Sequence, residues 1–121
     1  MMQILTTKGR ISRGAYWDFH VGVFVLFAVL GLLLNREWMP EWAKTLTGLL
    51  VSPVLFVAII VQVKRWHDLD RSGVWVFINL IPLIGGLITL IFCFCIKGTT
   101  GANRYGPDLL EAPPPLPHGR L

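Results

Sequence analysis

The sequence predicts an all-α, polytopic membrane protein, and three observations carry that prediction. Apolar residues make up 54% of the 121-residue chain and charged residues only 15%, an excess that a soluble domain of this size has too little interior to hide. Apart from Asp18 the charges gather outside three long runs at about 16–34, 45–63 and 74–96, and the second and third hold none over 19 and 23 residues. About 20 apolar residues in a helix cover the roughly 30 Å of bilayer hydrocarbon. Trp17, Trp38, Trp42, Trp66 and Trp75 all fall at or near the ends of the runs, where an indole keeps its ring in the interface and its N–H wet.

Taken in order, Met1 to Ala15 carries Lys8, Arg10 and Arg13 with no acid. The stretch Val21 to Leu34 is short for a span and reaches the required length only with the anchor Tyr16-Trp17-Asp18-Phe19-His20. The long flank and the lack of a small-x-small site after Leu34 predict an uncleaved signal anchor. The connector Asn35 to Lys44 offsets Arg36 and Lys44 with Glu37 and Glu41, and its brevity makes the first two segments antiparallel neighbours. Pro53 predicts a kink in the second run. Gly48 and Ser52 are small residues at a spacing that lets another helix approach.

Between the second and third runs lies a polar knot, Val63 to Gly73, with Lys64, Arg65, His67, Asp68, Asp70 and Arg71. Asp70 or Ser72 is placed to cap the start of the third run. In that run Pro82 turns Ile81 away from helical angles and Gly85-Gly86 comes soon after, so the run is either a crossing helix kinked at Pro82 or a re-entrant hairpin of two short arms. Length favours the crossing. Charge favours the hairpin, because only then does a single side collect nearly every cation and leave Arg36 and Lys44 alone on the other. Three crossings with a cytoplasmic N-terminus is the expected topology. Residues 1–110 then form one helical transmembrane domain, and 111–121, with Pro113-Pro114-Pro115 and Pro117, a disordered proline-rich tail. Cys93 and Cys95 stand in an apolar run two apart, a setting for buried free thiols rather than a disulfide or a metal pair.

Three polar signatures surround the apolar runs. The first is Gly9-Arg10-Ile11-Ser12-Arg13 followed by Tyr16-Trp17; the second is Lys64-Arg65-Trp66-His67-Asp68 with Arg71-Ser72-Gly73. The third is Gly98 with Gly101, Asn103, Arg104, Tyr105, Gly106, Pro107 and Asp108. In order and spacing, over nearly the whole chain, they resemble the bacterial family catalogued as domain of unknown function 805, typified by small inner-membrane proteins. Trp66 stands where that family usually has leucine, Val74 replaces a frequent aromatic and Leu109 takes a position that is often proline. These departures alter packing more than charge. The resemblance implies residence in the bacterial inner membrane and no established activity.

The basic balance, 11 Lys and Arg against 7 Asp and Glu, fits cytoplasmic loops and anionic headgroups rather than nucleic acid once the chain is placed in a membrane. The candidate binding face is an interfacial cluster of Arg10, Arg13, Arg65, His67, Asp68, Arg71, Asn103 and Tyr105. Arginine's planar fork suits the phosphate of an anionic lipid headgroup. Asp68 and Asp70 are expected to pair with Lys64, Arg65 or Arg71; Asp18 and His20 either face Arg65 or His67 inside the bundle or stand snorkelling or wet at the interface. No catalytic residue, cofactor or metal set is discernible: no nucleophile stands beside a base, and no third or fourth ligand lies at a diagnostic spacing. The chain therefore reads as a non-enzymatic membrane interaction or scaffold protein that binds lipid headgroups, another copy of itself or a membrane partner. The alternative is a subunit of an oligomeric transporter or channel, with Asn79, Pro82 and the glycines forming a broken helix over a pathway.

Overall fold

The computed structural model describes residues 5–111; the proline-rich tail, apart from Glu111, lies outside them. The first helix, α1, runs Arg13–Leu34. It begins before the expected Tyr16 because Ser12 caps it, its hydroxyl accepting from the Ala15 amide at 3.3 Å. The second helix, α2, runs Glu41–Asp68 and continues through Pro53. Its 28 residues reach about 42 Å, beyond the hydrocarbon thickness. The excess is its last turns, where Lys64 to Asp68 stay helical although they carry the charges expected of a loop. Helical spacing there sets Arg65 and Asp68 three residues apart on one face, where they pair.

Neither long helix is the core of a soluble fold. Across its most apolar window α1 buries none of its residues inside the protein, and α2 only 11%. A helix that is apolar all round and uncovered requires lipid. The molecule is an all-helical, polytopic membrane protein, and Gly48, with nothing within 4 Å of where a Cβ would stand, and exposed Ser52 stand on a face that no other helix among the described residues covers.

The third apolar run does not cross. A 3₁₀ helix, Gly73–Leu80, starts from Ser72, whose hydroxyl accepts from the Val74 amide. The chain reverses at Ile81 to Leu83, with Leu83 at φ 62°, and returns as α3, Ile84–Thr89, followed by a π-helical turn, Leu90–Cys95. Eight residues of 3₁₀ helix rise about 16 Å, roughly half the hydrocarbon. Both ends of the run come back to the same place: it leaves after Asp68, and the Thr99 amide donates to the Asp68 carbonyl at 2.7 Å. The expected third crossing is thereby corrected to a re-entrant hairpin. Length misled because a run of spanning length also suffices for two half-depth arms.

The arms touch where glycine removes the side chain, since a Cβ built on Gly85 would overlap the Ile78 carbonyl. Gly85→Ala should therefore open the hairpin and cost about 1–3 kcal/mol, as overpacking typically does. Thermal unfolding of the purified protein would show it, with Gly86→Ala, which meets no neighbour, as the tolerated control. Within the apolar layer the arms are also tied by polar side chains. Gln62 Nε2 donates to Thr89 Oγ1 at 3.3 Å and that hydroxyl donates to Asn79 Oδ1 at 2.7 Å, a link between helices of the kind that joins membrane segments.

Candidate functional site, a buried charge knot at the membrane interface

The last two turns of α2 deliver Lys64, Arg65, His67 and Asp68 into the interior, with Arg65 0% and Asp68 5% exposed. Asp68 is the centre. Its Oδ1 accepts from Arg10 Nε at 2.9 Å and its Oδ2 from Arg65 Nη1. A carboxylate buried between two guanidiniums persists only if the rest of each guanidinium is also served, and here every guanidinium nitrogen donates at least one bond. Arg10 donates to the carbonyls of Thr99 (2.6 Å), Gly101 (2.8 Å) and Gly106 (3.3 Å). Arg65 donates to the carbonyls of Cys93 (2.8 Å), Ile11 (3.4 Å) and Ile96. Gly98 packs so closely on Asp68 that a Cβ there would overlap the carboxylate.

The returning arm of the hairpin ends in this knot. The final carbonyls of a helix have no partner within it and carry its negative pole, and in a membrane water cannot serve them. Side chains do so one by one: Arg65 takes Cys93 and Ile96, Trp17 Nε1 takes Phe94 at 2.9 Å, and Arg13 Nη1 takes Cys95 at 2.9 Å. Arg13, Tyr16, Trp17 and His20 follow one another at helical spacing on the face of α1 that meets Phe94.

The third signature closes the knot. His67 Nδ1 lies 3.0 Å from the Gly9 carbonyl, and its ring stacks on Tyr105 with centroids 3.8 Å apart and planes 1° from parallel. Asn103 donates to the His67 carbonyl at 2.9 Å while its own side-chain oxygen accepts from the Tyr105 amide. Asp108 accepts from the Leu110 and Gly101 amides, and these two donors hold its carboxyl below the usual carboxylate range. A depressed folded-state pKa contributes order that is present above the unfolded value of about 3.9 and lost as pH falls through the folded one. Amide exchange at Gly101 and Leu110, corrected for its intrinsic pH dependence, should stay protected from pH 7 to 5 and lose protection only below about pH 3.9. Asp108→Ala should lower protection at every pH.

Of the eight candidate residues, Arg10, Arg65, His67, Asp68, Asn103 and Tyr105 meet in one network, whereas Arg13 and Arg71 are exposed at its edge. Arg71 lies over the Trp75 ring at 5.2 Å. Two expectations, for Asp70 and for Cys95, need correction, and the open reading of Asp18 and His20 is decided. Asp70 pairs with Arg104, at 3.3 Å, rather than with a cation of its own segment, because its left-handed backbone (φ 56°) turns it toward the tail. Asp18 is exposed and His20 turns back on the Tyr16 carbonyl, so neither faces Arg65 or His67. Cys93 is buried but Cys95 is exposed, both being free thiols. Sequence reasoning took Trp17 only as an interface anchor and gave Gly98 no role of its own; the spacing Arg13, Tyr16, Trp17, His20 was the available sign of a shared contact face.

The chain matches the family described as protein of unknown function (DUF805) over residues 4–107. Inner membrane protein YhaI of Escherichia coli (strain K12) is 40% identical over 104 residues, which cover 84% of this chain and 83% of that protein. Inner membrane protein YhaH of the same strain is 39% identical over 109 residues, 84% of each. Uncharacterized protein YiiR, also of that strain, is 29% identical over 133 residues, 87% of this chain and 86% of that one. No solved structure matches.

Proposed function

The chain belongs to the DUF805 family, and on that premise we propose that it is an inner-membrane interaction protein whose basic rim engages anionic lipid headgroups. The observation that carries this reading is a division of labour among the cations. Arg10 and Arg65 direct four bonds each into the knot. Lys8, Arg13, Arg71, Lys97 and Arg104 stand exposed around it. The knot is the frame and the rim is the contact surface. Arg36 and Lys44 alone mark the opposite end among the described residues, and Lys44 is paired with Glu41 at 2.7 Å. That imbalance supports a multi-pass chain with the N-terminus, the knot and the third signature on the cytoplasmic side. No reaction is assigned, since His67 is engaged by Gly9 and Tyr105.

Nanodiscs of phosphatidylglycerol and of phosphatidylcholine test the rim. The protein should unfold at a higher temperature in the anionic lipid, and the difference should shrink at high salt, which screens exposed charges. Equal unfolding temperatures in both lipids would refute the rim reading.

A second reading, subunit of an oligomeric transporter or channel, draws support from the re-entrant hairpin and the Gln62–Thr89–Asn79 link at membrane depth. Against it, each carbonyl from Cys93 to Ile96 already accepts a side-chain donor, which disfavours this helix end as an ion ligand. Solute flux in proteoliposomes that Asn79→Leu abolishes would favour it over the first.

A further inference from the structure

We propose that the cleft between the start of α1 and the segment after the hairpin is a stoichiometric site for a phosphodiester monoanion, the headgroup linkage of an anionic phospholipid. The inference rests on the rim reading and narrows it from a diffuse charged layer to one place.

The cleft encloses about 180 Å³ and is lined by Arg13, Lys97, the Arg10–Asp68 pair, Asp108, Leu109 and Leu110. Its carboxylates are already engaged. Asp68 holds two guanidiniums and Asp108 two backbone amides, and among the described residues neither forms an ion pair with Arg13 or Lys97. Lys97 makes no hydrogen bond or ion pair among the described residues, although it adds to the field that lowers Asp108. Arg13 uses only Nη1, on the Cys95 carbonyl at 2.9 Å. That bond fixes the guanidinium at the wall and leaves its Nε and Nη2 donors for an incoming oxyanion.

Charge selects the ligand. Arg10 and Arg65 together more than neutralise Asp68, so the cleft takes an anion; of the remaining lining charges Arg13 and Lys97 exceed Asp108 by one, which matches a singly charged phosphodiester and resists a phosphate dianion, because the second charge would face Asp108. The leucines select its source. Leu109 and Leu110 are 52% and 68% exposed at a cleft that opens where α1 begins, and they offer an acyl chain a surface that a water-soluble phosphodiester does not need.

The test uses the full chain in detergent, with native mass spectrometry during titration by palmitoyl-oleoyl phosphatidylglycerol or phosphatidylcholine. One phosphatidylglycerol should be retained with at least tenfold higher affinity than phosphatidylcholine. R13Q/K97Q should lose that preference, and K8Q/R71Q, which removes as much charge from elsewhere on the rim, should keep it within about twofold of the native chain. Because R13Q also uncaps Cys95, L110Q gives a second arm: it leaves the net charge unchanged and should weaken the retained phosphatidylglycerol. Equal losses in the two double variants, with L110Q unchanged, would overturn the cleft and leave the diffuse rim standing. No preference for phosphatidylglycerol in the native chain would overturn both. Free glycerophosphoglycerol competing at the lipid's own affinity would uphold the phosphodiester chemistry and overturn the lipid as its source, whereas no competition at millimolar concentration supports the lipid.

Discussion

Asp68→Ala should destabilise the folded protein by about 3–5 kcal/mol, the range for removing one partner of a buried charge pair. The residues left behind explain the size. Arg10 and Arg65 would keep their guanidiniums where they are, because three carbonyl bonds hold each, and two cations would then face each other across the emptied carboxylate site. Neither can rotate to water without breaking contact with the hairpin end or the third signature. Asp70→Asn is the informative comparison, because that carboxylate pairs with Arg104 at the surface and asparagine tolerates its left-handed backbone. Exposed pairs contribute about 0–1 kcal/mol. Unfolding midpoints in one detergent would compare the two. Similar small losses for both would mean that Asp68 does not hold the knot together.

Arg65→Lys should cost about 3 kcal/mol although it keeps the charge, since leaving a buried acceptor unsatisfied costs roughly 1–3 kcal/mol each. An ammonium on a flexible stem cannot reproduce the fork that reaches Cys93, Ile96, Ile11 and Asp68 at once. The loss should be uneven. The returning arm, Ile84 to Cys95, should gain amide exchange first, because Arg65 serves two of the carbonyls at its end, while the middle of α1 should change little. A lysine variant within about 0.5 kcal/mol of the native chain, with unchanged exchange at 84–95, would show that charge alone matters at this position, against the account of Arg65 as a cap.

The range of each interaction decided whether the sequence made it legible. Charge-poor runs and tryptophan positions are local signals, and they placed α1, most of α2 and the third apolar run, although Trp66 is not the wet interface indole expected of it: it is buried, and its Nε1 has no hydrogen-bond partner among the described residues. Ser12 and Ser72, adjacent to the starts they cap, were likewise within reach of a local reading, though only Ser72 was singled out. The end of α2 was placed too early, at Val63, because Lys64 to Asp68 looked like loop; one of the partners that lets Asp68 be buried there is Arg10, more than fifty residues away. The hairpin was written in Pro82, Gly85 and Gly86, yet choosing it over a crossing required knowing that Gly85 meets the Ile78 carbonyl and that Thr99 returns to Asp68. The members of the site were legible as a set because all three signatures are polar against apolar surroundings. Their roles were not: composition cannot tell the buried frame of Arg10 and Arg65 from the rim of Arg13 and Lys97, since that separation is made by carbonyls, which every residue carries.

The knot requires all three signatures to lie on one side of the membrane, joined through Asp68. Single cysteines at Thr7, Trp38 and Ala102, in a chain whose Cys93 and Cys95 are replaced by alanine, test that directly with a membrane-impermeant thiol reagent on intact and lysed spheroplasts. The expected result is that positions 7 and 102 behave alike, protected until lysis, while position 38 is labelled in intact cells. Labelling at 102 together with protection at 7 would put the third signature across the bilayer from the first, restore the third crossing and contradict the knot.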